Sequence, residues 1–262
     1  MDDVKIKVTI DGDTYSDKQL RLIRYEREKH VLQEMIYLGA EIPYNGNSLT
    51  YDDVNYLSYE EAEELNLKAR SEIAADEFKK LYASELQRSA RMWREIVRDY
   101  HDENPMIRAT ADLNIVGMTL EQFQEKMASV LSGGDSSVMT ENPEHFCFTK
   151  TEDCKGQERM GVETMGMYGG PTEVIVMPGQ DSLKDKVVTD NGFPDATAGT
   201  SKLLDGTLRH DIAYHQMKPS EKGFDVRTTV YFPKNTPKEM IEGHKLHLAM
   251  ETYEMIKEAA KI

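Results

Sequence analysis

Thr236-Pro237-Lys238-Glu239-Met240-Ile241-Glu242-Gly243-His244-Lys245-Leu246-His247-Leu248-Ala249-Met250-Glu251 reads as the start of a C-terminal helix, and its reading decides the fold. Thr236 suits the N-cap, Pro237 suits the first helical position, and Glu239 completes a capping box. From that start His247 and Glu251 lie one turn apart, with His244 on the same side. An imidazole and a carboxylate so spaced can hold one divalent metal, provided the rest of the chain supplies further ligands.

Ahead of this helix the chain reads as a β meander. Residues 145–150, 160–168 and 172–177 are strand candidates, the first two joined by a turn around 153–156. An irregular Gly- and Asp-rich connection at 179–206 leads to two more strands near 207–217 and 224–232. Residues 4–10 and 107–115 alternate apolar and polar and read as strands too. Helical periodicity marks 17–38, with Leu20, Ile23, Val31 and Met35 on one stripe. A second helical region, in one or two pieces, runs from the capping box Ser58/Glu61 to about residue 100, and a third helix covers 119–131. Residues 40–50 and 132–137 read as loops.

An antiparallel meander ending in one long helix is an α+β pattern. The helix must bury a face against the sheet, and a cavity between the two is a natural ligand site. Residues 1–105 form a mainly helical N-terminal segment, able to cover the cavity or to mediate dimerisation. Residues 106–262 carry the sheet, the helix and the site, and the two parts are expected to form one compact unit.

Composition excludes several function classes. The 262 residues are 39% hydrophobic, enough for a core. A net charge of −15 with no basic face argues against nucleic acid. No apolar run approaches the length of a membrane span, and Met1-Asp2-Asp3-Val4-Lys5 is no signal peptide. Two cysteines, Cys147 and Cys154, fit thiols in a reducing compartment. A soluble cytoplasmic protein is expected.

The metal reading needs three or four ligands. After His247 and Glu251 the next candidates are His145, at a strand start behind Asn142-Pro143-Glu144, and Glu163, in the apolar strand Gly161-Val162-Glu163-Thr164-Met165. A carboxylate in an apolar strand is costly unless paired or bound to a metal. Two imidazoles and two carboxylates favour zinc, with manganese or iron as alternatives. Other sets stay open: Cys147 shares a strand face with His145, Glu173 rivals Glu163, and His244 rivals His247 although Gly243 beside it looks like a close-packing position. A helical His/Glu pair is also a common solvated surface contact. His210 and His215 are five residues apart, so on one strand at most one faces the cavity. Tyr168, Tyr214 and Tyr231 are strand aromatics, packing residues first and oxyanion donors second. Methionines 160, 165, 167 and 177 suit a core or a pocket for a flat aromatic ligand.

Four of these pieces, in order, resemble the diacetylphloroglucinol and phloretin hydrolases, zinc enzymes that cleave the carbon–carbon bond between an aromatic ring and an acyl group. They are Pro143-Glu144-His145, Val162-Glu163 with Gly166, His210 and His215 followed by Gly223-Phe224-Asp225-Val226-Arg227, and His247-Leu248-Ala249-Met250-Glu251. The resemblance covers residues 143–255. It implies a helix-grip fold of the START/Bet v 1 type and favours Glu163 over Glu173 and His247 over His244. The family's tyrosine before its first metal histidine has no counterpart in residues 132–142.

The resulting expectation is a zinc-dependent hydrolase of an acylated polyphenol. His145, Glu163, His247 and Glu251 hold the metal, His215 (with His210 in reserve) is the general acid, and Tyr231 stabilises the oxyanion. The partner is a small aromatic ketone, and a homodimer is expected. The competing expectation is a metal-free helix-grip module that binds an aromatic or lipid-like ligand.

Overall fold

Serines open two of the N-terminal helices. Ser16 and Ser58 each accept from the backbone N–H three residues on, while Gln19 and Glu61 reach back to close capping boxes. They start α1 (Asp17–Tyr37) and α2 (Tyr59–Glu72). The expected helical stretch to residue 100 comes as three pieces, with α3 (Ala75–Leu81) and α4 (Ala83–Val97) following α2. Thr119 and Gln122 cap α5 (Leu120–Ser132) in the same reciprocal way. A further helix, α6 (Ser136–Glu141), begins at the end of the loop expected at 132–137 and runs past it. The structure, a computed structural model, describes every residue except 1–3, 102, 104, 133–135, 153, 189, 191, 194–195 and 262, so part of that loop and of the turn at 153–156 lies outside the described residues.

The strands form one large antiparallel sheet. They are β1 (Lys5–Ile10), β2 (Asp13–Tyr15), β5 (Met106–Val116), β6 (His145–Thr149), β7 (Arg159–Glu163), β8 (Thr172–Met177), β9 (Thr197–Leu203), β10 (Ile212–Ser220) and β11 (Gly223–Pro233). A separate two-stranded ladder, β3 (Pro43–Tyr44) and β4 (Asn47–Ser48), follows α1. Among the described residues the large sheet has nine strands in the spatial order β2-β1-β5-β11-β10-β9-β8-β7-β6. The β1–β2 hairpin, from the N-terminal segment, extends it beyond β5.

The C-terminal helix, α7 (Lys238–Lys261), buries a face that includes Met240, Ile241, Leu248, Ala249 and Ile256. Its start departs from expectation by one residue. Met240 and Ile241 donate to the Pro237 carbonyl, so Pro237 occupies the cap, while Thr236 Oγ1 is buried with no partner among the described residues.

The two faces of β6–β8 have different neighbours. Phe146, Met160, Val162 and Ile175 pack under α1 to α3 with Val31, Phe78 and Tyr82. His145, Phe148, Glu163, Val174 and Val176 look the other way, into a cavity shared with α7. β7 is shorter than the strand expected over 160–168, because Gly166 and Met167 take left-handed backbone (φ 62° and 58°) and turn the chain. That turn lies directly on α7. A Cβ on Gly243 would collide with the Gly166 carbonyl oxygen, and a Cβ on Gly166 with the Met240 carbonyl oxygen. Gly243 is therefore the close-packing position its sequence context suggested, and it sets the distance between helix and sheet.

β9 lies inside the connection expected to be irregular. Its Thr-Ala-Gly-Thr-Ser-Lys-Leu sequence has weak strand propensity, and neighbours on both sides impose the extended form. Among the described residues no helix is long and apolar enough to cross a membrane.

Candidate metal centre

His145 and Glu163 are direct cross-strand partners on β6 and β7, so their side chains leave the same face. A bulge between His145 and Cys147 then shifts the register. It turns Cys147 toward the α1–α3 side and brings Phe148 to His145, ring centroids 5.2 Å apart. The shared strand face expected for His145 and Cys147 is thus broken, and the softer, sulfur-containing ligand set goes with it. Glu173 points away from the cavity and pairs with Lys79 at 2.8 Å.

Across the cavity α7 presents His247 and Glu251 to this hairpin. His145 Nε2 lies 3.2 Å from His247 Nε2 and 3.4 Å from Glu163 Oε2. Glu251 Oε2 lies 3.8 Å from His247 Nε2. A tetrahedral zinc with bonds of about 2.0–2.1 Å separates its ligand atoms by roughly 3.3 Å. Ligand atoms of His145, His247 and Glu251 all lie within 4.8 Å of one another, wider than that spacing, so the side chains would draw in around an ion; Glu163 stands outside this group and approaches it through His145.

The protonation states fit as well. The Val138 carbonyl in α6 accepts from His145 Nδ1 at 2.9 Å, which leaves Nε2 as a lone pair aimed at His247. Two imidazole nitrogens facing each other need a proton or a cation between them. Burial pushes His145 down to about 4 and His247 well below its usual value. It pushes Glu163 up to about 7, against the pull of Arg209. Burial, followed by Glu141 and Glu163, drives Glu251 well above the carboxylate range. A divalent cation would reverse that penalty by supplying the charge the carboxylates face.

The segment that aims His145 is clamped from the N-terminal helices. Arg70 donates through Nη1 to the carbonyls of Met139 (3.0 Å), Asn142 (3.4 Å) and His145, and through Nε to Asn66 at 2.6 Å. Arg24 reaches the carbonyls of Glu141 at 3.1 Å and Thr140 at 3.0 Å. Arg27 pairs with Glu144. The N-terminal helices, expected to cover the cavity or to mediate dimerisation, thus hold the His145 segment in place through arginines that no motif marks.

The cavity has a volume of about 280 Å³. Besides the ligands it is lined by apolar Met165, Val174, Val176, Val230 and Leu248, and by polar Ser201, Arg209, Asp211, His215 and His244. His215 Nδ1 accepts from the Thr229 N–H at 3.3 Å and lies 2.7 Å from Thr228 Oγ1, so the neutral ring carries its proton on Nε2. Burial holds His215 down to about 4. His244 stacks on His247 at 5.0 Å, and neither of its nitrogens has a partner among the described residues.

Two expected catalytic residues are elsewhere. His210 precedes β10 instead of sharing it with His215, and it stacks on Tyr100 at 4.3 Å. Tyr231 follows Val230 on β11, so it faces away from the cavity, where Val188 N–H donates to its hydroxyl at 3.2 Å. Tyr214 packs beside it. Comparison of the chain with protein-family models and with curated proteins finds no match.

Proposed function

We propose that the chain is a zinc-dependent hydrolase on a helix-grip fold, cleaving the bond between an acyl group and a phloroglucinol-type ring. The observation that carries this reading is the grouping of His145, His247 and Glu251, with Glu163 against His145, at one cavity whose walls are apolar on one part and polar on another. Zinc bound there would supply Lewis-acid activation of water and of the acyl carbonyl near neutral pH. A cavity of about 280 Å³ accommodates a single-ring ketone, since a pocket of about 150 Å³ already takes benzene.

The chain's own groups divide the remaining work. His145, tied by Val138, and Glu163, opposite it in register, arrive already oriented. Val174, Val176 and Leu248 exclude water from the ring. His215 donates its Nε2–H to a substrate oxygen, a place that Tyr231 does not reach. Hydrolysis consumes one water: its oxygen goes to the acyl carbon and one of its protons to the departing ring carbon, which a polyhydroxylated ring accepts by tautomerising. His215 rests neutral with its single ring proton on Nε2, so its part is that hydrogen bond, and the proton for the ring carbon comes from the attacking water.

Metal analysis of protein purified without added metal, combined with product analysis on acetylphloroglucinol, tests the reading. Near-stoichiometric zinc and release of phloroglucinol and acetate are expected. Protein that takes up no metal under any condition sinks it, and ligand binding by such protein returns the chain to a non-catalytic aromatic-binding module.

A further inference from the structure

Arg209 lines the same cavity, and three of its five N–H donors have no acceptor among the described residues. It is 1 % exposed and sits between β9 and β10. Its guanidinium carbon lies over the Trp93 ring, 3.8 Å from the ring centroid. Nη1 donates to Ser201 Oγ at 2.9 Å and lies 3.4 Å from Asp211 Oδ2. Nε and Nη2 are buried and have no acceptor among the described residues.

These two nitrogens form one edge of the guanidinium, the edge that grips a carboxylate with two parallel bonds. The chain uses that edge elsewhere: Arg227 holds Asp112 through Nε at 2.7 Å and Nη2 at 3.1 Å. A guanidinium cannot shed its charge, and a buried donor without an acceptor keeps the full cost of leaving water. The nearby carboxylates are engaged otherwise. Asp211 accepts from the Ser201 N–H at 3.1 Å and from the Ser201 hydroxyl at 3.0 Å. Glu163 turns to His145.

We propose that the Nε/Nη2 edge of Arg209 binds a carboxylate on the substrate, so that the natural ligand is an aromatic ketone carrying a carboxylate. This rests on the cavity being the substrate site proposed above, and not on the metal. The ring would lie between the metal cluster and Arg209. The side chains of Trp93, Ser201 and Asp211 hold the guanidinium in place for it.

The test compares benzoate with its neutral isostere benzamide by calorimetry, using metal-loaded and chelator-treated protein. Wild-type protein should prefer benzoate by roughly ten- to a hundredfold, the worth of a charge-assisted pair. The preference should persist after chelation and disappear in Arg209→Met, with zinc content unchanged. Arg209→Lys, which keeps the charge and loses the fork, should retain only part of it. A preference that vanishes on chelation assigns the anion to the metal and overturns the proposal, as does an Arg209→Met variant that binds benzoate normally. Loss of zinc in Arg209→Met with the benzoate preference intact would also overturn it, placing Arg209 behind Glu163 instead. The wild-type chelation arm decides even if both variants fail to fold, and it is independent of whether the hydrolase reading holds.

Discussion

Arg70 and Arg209 are buried almost equally, at 3 % and 1 % exposure, yet their donors end in different places. Arg70 finds a side-chain amide and three backbone carbonyls, all within the protein. Arg209 finds Ser201 and Asp211 on one side and, among the described residues, no acceptor on the other. The first arrangement is a scaffold: removing it lets residues 139–145 move. The second, together with His244, whose nitrogens have no partner among the described residues, and the facing nitrogens of His145 and His247, leaves polar atoms open to a ligand, which is how we read the site. Burial alone does not separate the two regions, and the destination of each hydrogen bond does.

The largest effect that could break this contrast is on metal. His247→Ala should reduce zinc from near-stoichiometric to background in elemental analysis, with the fold retained by circular dichroism. If zinc stays, the cluster is not the site. Arg70→Met should act on the scaffold, leaving the carbonyls of Met139, Asn142 and His145 unsatisfied. A loss of about 3 kcal/mol in urea unfolding is expected. Because His145 loses its anchor, zinc affinity should drop as well, and a stable variant with unaltered zinc affinity would separate scaffold from site.

Gly243→Ala probes the contact between the two regions. The added methyl meets the Gly166 carbonyl oxygen and pushes α7 off the sheet. Overpacking of this kind costs about 2 kcal/mol, and zinc affinity measured by chelator competition should weaken through His247, one turn on.

A last effect, read as a slope with pH, concerns Glu28, which lies 3.2 Å from Arg24 Nε in the scaffold. Burial raises it to about 8, and Arg24 only partly opposes this. A raised carboxyl is protonated in the folded chain while the unfolded chain ionises, so its contribution is full below the unfolded value of 4.5 and is lost as pH climbs to about 8. The loss is at most about 1.4 kcal/mol per pH unit. Glu28→Gln should flatten the decline of unfolding free energy between these limits. An unchanged slope would show that Glu28 stays ionised beside Arg24.

Local patterns carried much of the fold. The boxes at Ser58/Glu61 and Thr119/Gln122 formed, because a hydroxyl and a carboxylate or amide three residues apart need no help from elsewhere. Alternation found β1 and β5, whose two faces meet different surroundings. It missed β9, whose residues are extended only because β8 and β10 hold them. It overextended β7, because two left-handed residues leave no trace in a hydrophobicity pattern. The pairing of Thr236 with Glu239 was present in sequence but unused, since Pro237 took the cap.

By itself the sequence determined the helix spacing of His247 and Glu251, the α+β layout and the hairpin that carries His145 and Glu163, because each depends on neighbours in the chain. Only the tertiary structure decided which groups meet. It paired His145 with Glu163 in register, turned Cys147, Tyr231 and His210 away, and brought Arg209 and His244 in. The physical reason is that one bulge, or one residue of register, exchanges the two faces of a strand, and only the packed molecule chooses between them.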